Sequence, residues 1–235
     1  MLSRQELKDL KDKKFRRENN IFLLEGDKFC KDLLSANIKI LKTITTQTDL
    51  KDFPNVEVVD KKVFDSLSST VTPQTIICVC EKPVIGFDSV GNSVVLDNLQ
   101  DPGNVGTLIR SAVAFGFNDV YLVGGVDPYN EKVVRSSAGT ILKARIHCCD
   151  FSEFDVSKEK ISKYFVVADM FGESLNEIRL PNSKIAVIIG NEGNGVSDSF
   201  LNIANIKVSI PMMNGVESLN AGVAGSIIMQ KFMSN

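Results

Sequence analysis

Tryptophan is absent from this 235-residue chain, histidine occurs once, and none of the five cysteines stands in a Cys-x-x-Cys pair. That cysteine spacing excludes the ligand pattern of tetrahedral zinc. Cys78 with Cys80 and Cys148 with Cys149 are spaced as strand neighbours, so all five thiols, Cys30 included, read as reduced and buried or half-buried. With only His147 to serve as a base, a serine or cysteine hydrolase would rest on one residue of the strand-like ARIHCC, and a half-buried strand histidine is the simpler reading. Asp97, Asp101 and Glu192 fall on separate loops without cage-like spacing, so no metal is expected. No stretch approaches the roughly 20 apolar residues of a membrane span, and MLSRQELKDLKDKKFRR has no apolar signal core, which predicts a cytoplasmic protein with no membrane partner. Gly-x-Gly-x-x-Gly and Gly-x-x-x-x-Gly-Lys-Ser/Thr are missing too, and no acidic residue ends VYLVGG; dinucleotide and P-loop sites are disfavoured. A net charge of -2 argues against wholesale polyanion binding but leaves a local basic surface open.

What is present divides the chain. Ser3-x-x-Glu6 is a capping box that predicts a helix through about Arg17. Extended segments follow at 21–24, 38–45, 56–59 and 75–80, with DKFCKDLLSAN and KKVFDSLS as helices between them. EKPVIGFDSVGN, with its proline and two glycines, is the best boundary, which predicts units at 1–84 and 93–235 joined by a linker at 85–92. From Ser93 onward strands at 93–96, 120–123, 144–148, 164–168, 185–189 and 207–210 alternate with helices or loops. Near-continuous apolar strands in that alternation mean an α/β fold with a mostly parallel sheet covered on both faces. Neither part is basic on average, but seven cations between Arg4 and Arg17 face only Glu6, Asp9 and Asp12. A solvated helix face and an RNA-binding face, with Lys11, Lys13, Lys14 and Arg16 as its candidates, are both open on that pattern.

The polar chemistry collects on three loops that follow apolar strands, where open α/β sheets place ligands. DNLQDPGNVGTLIR runs into a helix whose apolar positions Val105, Leu108, Ile109, Ala112 and Val113 leave Asn104 and Arg110 off the stripe. GNEGNGVS and PMMNGVESLN follow the two last strands. Glycines there allow close backbone approach, and Ile210 and Leu219 can supply apolar contact, which suits a neutral ligand held mainly by backbone.

In these three loops the sequence resembles the SpoU (TrmH-like) family of RNA ribose 2'-O-methyltransferases. Asn-Val-Gly-x-x-x-Arg, Gly-Asn-Glu-Gly-x-Gly, and Ile-Pro-Met followed by Ser-Leu-Asn occur in the family's order. KDLKDKKFRRENNIFLLEG also resembles the substrate-binding domain that precedes the catalytic domain in ribosomal RNA members. The resemblance implies a C-terminal α/β domain with a deep trefoil knot, of the SPOUT type, after a small α/β RNA-binding domain of L30e-like fold. It implies S-adenosylmethionine bound at a homodimer interface, by Gly190, Ile210, Met212 and Leu219. Asn104, Arg110, Glu192, Ser218 and Asn220 become the catalytic or RNA-facing residues. A guanidinium is protonated at any ordinary pH, so Arg110 is expected to position phosphate or oxyanion rather than act as a base. The implied activity is methylation of a ribose 2'-hydroxyl of 23S ribosomal RNA. Transfer RNA as substrate, a non-catalytic RNA-binding protein and a small-molecule methyltransferase are the alternatives.

Overall fold

The computed structural model describes residues 4–10, 12–36, 38–70, 73–179, 181–213, 215 and 218–233. Its N-terminal region departs from the expected single helix. Two short helices, α1 (Arg4–Asp9) and α2 (Lys13–Glu18), replace it. Asp12 causes the break: its backbone is extended, and its carboxylate accepts the Phe15 N–H at 2.9 Å as an N-cap. Ser3, the first half of the expected capping box, lies outside the described residues, as does Lys11.

The chain continues through β1 (Ile21–Glu25), α3 (Asp27–Leu33), β2 (Ile40–Thr45), β3 (Val56–Val58), α4 (Lys61–Leu67) and β4 (Ile76–Glu81). These strands form a four-stranded sheet in the order β1-β4-β2-β3, antiparallel except for the β2–β3 pair. Beyond it come β5 (Ser93–Asp97), α5 (Pro102–Ala114), β6 (Asp119–Val123), α6 (Glu131–Ser136) and, after a 3-10 turn, β7 (Arg145–Cys149). The last elements are α7 (Phe151–Ile161), β8 (Tyr164–Ser174), β9 (Ile185–Ile189), α8 (Asp198–Ile203), β10 (Ile206–Ser209) and α9 (Ala221–Lys231). All six of these later strands pair in parallel, in the order β10-β8-β9-β5-β6-β7. The parallel, doubly covered sheet expected from the apolar runs is therefore present.

Alternation within the strands sorts the core into two layers. Val94, Leu96, Val120, Leu122, Val187 and Ile189 face one side with Leu108 and Ile109 of α5 and Ile228 and Met229 of α9. Val95, Tyr121, Val123 and Ile188 face the other, with Phe154 of α7 and Phe200 of α8. The four-stranded sheet has two faces as well: Ile21, Leu23, Ile77 and Val79 pack under Leu10, Phe64 and Leu67. Its opposite face, with Phe22, Leu24, Cys78 and Cys80, joins the same core as α5 and α6. Phe22 meets Tyr129, in the loop before α6, with ring centroids 4.9 Å apart. The two sheets thus share apolar packing.

Two expectations about single residues change here. His147 is fully buried rather than half-buried, its Nε2 3.0 Å from Asp119 Oδ1 and its ring stacked on Tyr121 at 4.2 Å. Cys148 is exposed, while Cys30, Cys78 and Cys80 are buried and Cys149 is intermediate.

Candidate active site

Asp101 starts the site. It caps α5, accepting the Asn104 N–H at 2.8 Å, with Pro102 at the first helical turn where no N–H is needed. Ahead of it the chain turns through Asn98, whose φ of +53° is left-handed, and Gly125 closes on the next residue: a Cβ there would run into the Leu99 carbonyl oxygen. Both turns lie at the C-terminal ends of β5 and β6, where a parallel sheet opens to ligands.

The second loop folds back onto the first. Asn191 donates from Nδ2 to the Asn98 carbonyl at 2.9 Å and accepts from the Gly193 and Asn194 N–H groups. Asn191 and Gly195 exchange backbone hydrogen bonds, both 2.9 Å. Gly190 has no room for a side chain, because a Cβ would overlap the backbone of Gly195 and Val196. Asp97, buried at the end of β5, accepts the Ser197 N–H at 2.7 Å and ties down the far side of the loop.

Glu192 joins the loops. Its Oε1 accepts from Asn104 Nδ2 at 2.9 Å and from the Asp101 N–H at 3.3 Å, and its Oε2 accepts the Gln100 N–H at 3.3 Å. Burial alone would raise this carboxyl, but the hydrogen bonds from Asn104 and from backbone N–H groups outweigh it and hold the pKa below the ordinary carboxylate range. Glu192 is ionised and engaged on both oxygens. Asn104 is buried at 7% exposure, a strut beneath Glu192, so its route to a substrate runs through that carboxylate.

The third loop brings α9 onto α5. Asn220 caps α9, accepting the Val223 N–H at 3.2 Å, and a Cβ at Gly222 would stand 3.3 Å from the Thr107 side chain. Ser111 and Ser226 meet at 2.6 Å between the same helices, and Gly225 lets Leu108 reach the α9 backbone. Asn220 is thereby carried to the exposed side of α5 near Thr107, three residues from both Asn104 and Arg110. Arg110 and Ser218 are exposed, with no hydrogen-bond or ion-pair partner among the described residues.

Of the expected donor residues, Gly190, Ile210 and Leu219 are half-buried and Met212 is 37% exposed. Asn214, Val216 and Glu217 of the same loop lie outside the described residues. Among the described residues, a glycine cradle, three apolar side chains and an already paired carboxylate fit a neutral adenosine bearing its own charged sulfur.

The expected basic face is revised. Arg16 is 2% exposed: Nη2 pairs with Asp127 Oδ2 at 3.0 Å and Nη1 donates to the Leu10 carbonyl at 2.9 Å. A guanidinium enclosed this way cannot meet phosphate, so Arg16 is a link between the two sheets. Lys14 is exposed and near Glu18, at 3.9 Å; the Lys13 side chain lies outside the described residues, and Arg17, not singled out from sequence, is exposed.

A model of the SpoU rRNA Methylase family matches residues 91–230, and a model of the MRM3-like substrate binding domain matches residues 5–78. The chain belongs to the SpoU rRNA methylase family. Among curated relatives, this SpoU methylase is 31% identical over 229 residues to the 23S rRNA (guanosine(2553)-2'-O)-methyltransferase RlmP of Bacillus subtilis, covering 94% of this chain and 92% of the relative. Among solved structures it is similar to a putative RNA methyltransferase of the TrmH family from Porphyromonas gingivalis, at 28% identity and TM-score 0.84, covering 99% and 98% of the two chains. It is also similar to an AdoMet-bound rRNA methyltransferase from Sinorhizobium meliloti, at 25% identity and TM-score 0.87, covering 97% and 92%.

Sequence reasoning placed the three loops but missed Gln100 and Asp101 as holders of Glu192, Thr107 as the contact for α9, and Asp127 as the partner of Arg16. The Asp-Pro-Gly-Asn cap was a usable signal for the first. The others are backbone or long-range contacts with no local signature.

Proposed function

We propose that this SpoU methylase transfers a methyl group from S-adenosylmethionine to a ribose 2'-hydroxyl of ribosomal RNA, with 23S RNA as the leading substrate. The observation that carries the reading is the Glu192 bracket, which fastens the second motif loop to the start of α5 and so sets the Gly190 cradle beside the face that presents Arg110.

When bound, the donor supplies an electrophilic methyl on a positively charged sulfur, so the protein's share is orientation and exclusion. Gly190, Ile210, Met212 and Leu219 hold the donor. Arg110, without an internal partner among the described residues, holds a phosphate or the 2'-oxyanion that forms as the hydroxyl proton passes to water; Ser218 and Asn220 align that oxygen, which takes the methyl as its bond to sulfur breaks. Asn104 and Glu192 are positioning residues in this scheme, since both are spent on holding the loops.

The units are proposed as residues 1–84 for RNA capture, with an L30e-like fold, a linker at 85–92, and residues 93–235 for methyl transfer. The antiparallel sheet with helices and the family match over 5–78 support the first. A trefoil knot is part of the same proposal: from edge strand β10 the chain returns across the sheet so that α9 packs on α5 beside the Gly190 loop. A homodimer is supported by Val223 and Ile227, which stand exposed one turn apart on α9. The setting proposed is cytoplasmic. No helix among the described residues is long and apolar enough to cross a membrane, and none of their His, Cys, Asp and Glu side chains form a group that could hold a metal.

Methyl transfer from labelled S-adenosylmethionine to ribosomal RNA, transfer RNA and small acceptors, with mapping of the modified ribose, tests the proposal. Label on a 2'-hydroxyl of 23S RNA is expected. Label on transfer RNA alone replaces the substrate, label on small acceptors alone replaces the class, and tight RNA binding without label leaves a non-catalytic RNA-binding protein.

A further inference from the structure

A cavity of about 220 Å³ lies between the two sheets, away from the motif loops. Leu23, Leu67, Ile77 and Val134 give it apolar walls, and Phe29 lines it from α3. Phe29 is fixed from both sides, because Gly26 and Gly139 bring bare backbone to its ring; a Cβ at Gly139 would stand 2.9 Å from it. The six-stranded part contributes Glu131 and Arg135 through α6, which packs against α5.

The polar groups differ in how they are used. Glu25 is engaged on both oxygens, which accept from Ser68 Oγ at 2.5 Å, Thr70 Oγ1 at 2.9 Å and the Ser69 N–H at 3.0 Å. Glu131 is the opposite case: its Oε1 is buried and has no hydrogen-bond partner among the described residues. An orphaned carboxylate oxygen in an apolar cavity calls for a donor. Lys28 and Arg135, both exposed, stand at the rim and favour an anion there. A simple cationic ligand would satisfy Glu131 but meet these two cations. A flat apolar body with an N–H donor on its edge and a phosphate behind it satisfies all of them, and that description is a nucleotide.

We infer that this cavity takes one base extruded from the substrate RNA, with Phe29 against its face and Glu131 accepting from an N–H on its edge. The inference rests on the RNA methyltransferase reading. It assigns α6 a second purpose: the helix that packs on α5 also grips the RNA, so the captured base registers the target ribose against Arg110.

The test uses the full chain and an RNA fragment that the wild-type protein methylates. Phe29→Leu keeps apolar bulk but loses the ring face, Glu131→Ala removes the acceptor, and Lys28→Ala, on an exposed side chain, guards against misfolding in the other two. Each is expected to lower kcat/KM about tenfold or more through KM, as loss of a hydrogen bond to a charged group or of base stacking does, with S-adenosylmethionine affinity unchanged. Abasic replacements through the RNA then locate the base: at one nucleotide the abasic penalty and the Glu131→Ala penalty do not add. Folded variants that methylate at the wild-type rate, or additive penalties at every position, would overturn the inference. Mononucleotide binding that Glu131→Ala abolishes, without effect on RNA methylation, would also overturn it, making the cavity a free-nucleotide site. A wild-type protein that methylates no RNA would instead sink the functional reading beneath it.

Discussion

Arg16→Met keeps the apolar stem of a side chain that is 2% exposed and deletes the guanidinium facing Asp127 at 3.0 Å. Asp127 is itself only 9% exposed, so its carboxylate would be left desolvated without its partner. Removing one member of a buried pair costs about 3–5 kcal/mol. The Leu10 carbonyl loses its donor too. Lys82 offsets part of this: burial disfavours its ammonium, and the Asp127 charge is what chiefly favours it, so it stands ready to turn toward the vacated carboxylate. The lower end, about 3 kcal/mol, is therefore expected.

With no tryptophan in the chain, urea unfolding is best followed by far-ultraviolet circular dichroism. At a slope of about 2 kcal/mol per molar, ordinary for small proteins, the midpoint falls by about 1.5 M with the slope unchanged. Asp127→Asn is expected to destabilise as well, and the double variant to lose less than both singles together, by about 0.5–3 kcal/mol of coupling. The salt dependence of RNA binding stays at the wild-type slope, because Arg16 neutralises no phosphate. Stability within about 0.5 kcal/mol of wild type, as for an ordinary surface site, together with a shallower salt slope, would refute the clamp and return Arg16 to the RNA.

Three other outcomes follow from the geometry. Arg110→Lys keeps the charge but loses the planar fork, and Arg110→Ala loses both; single-turnover methylation should fall for Lys and further for Ala, and equal, near-wild-type rates for both would remove Arg110 from the site. Gly190→Ala drives a methyl into the Gly195 and Val196 backbone, so calorimetric titration should find donor affinity reduced at least tenfold while RNA binding persists, and undiminished donor affinity would show that the loop is no cradle. Burial would raise the Asp119 carboxyl, but the His147 hydrogen bond, the Val90 N–H and Arg145 outweigh it and hold the pKa below 3.8. A depressed carboxylate pKa contributes stability that is fully present above about pH 4 and is lost as pH falls below it. Between pH 6 and pH 3 the wild type should therefore lose more stability than Asp119→Asn, and parallel losses would disconnect the cluster from acid unfolding.

The parts of this molecule that were legible in its sequence are those whose physics is local and periodic. Every strand of both sheets was placed to within a residue or two at most ends, because an apolar run bounded by turn residues leaves few alternatives. β8 ran longer than expected, to Ser174, since its second half pairs with β10 and is not apolar throughout. The N-terminal helix was misread for the converse reason: Asp12 and Ser3 are both credible caps in the sequence, and the Asp12 cap on Phe15 is what divides the stretch into two helices.

Arg16 and Glu192 expose the same limit at the site itself. Arg16 was singled out by its charge and Glu192 by its motif, and each proved to spend its charge on the protein, one on Asp127 from the loop before α6 and one on two backbone N–H groups and Asn104. A charged residue in a functional motif carries no mark that says whether it faces substrate or scaffold; that depends on partners brought from 88 to 111 residues away. Arg110 is the contrasting case, exposed and without an internal partner among the described residues. The division follows from the chemistry. A donor that arrives already activated asks the protein for fixed loops more than for ionisable groups, so Asn104, Glu192 and Asn220 go to holding backbone in place, while Arg110 is left exposed on α5.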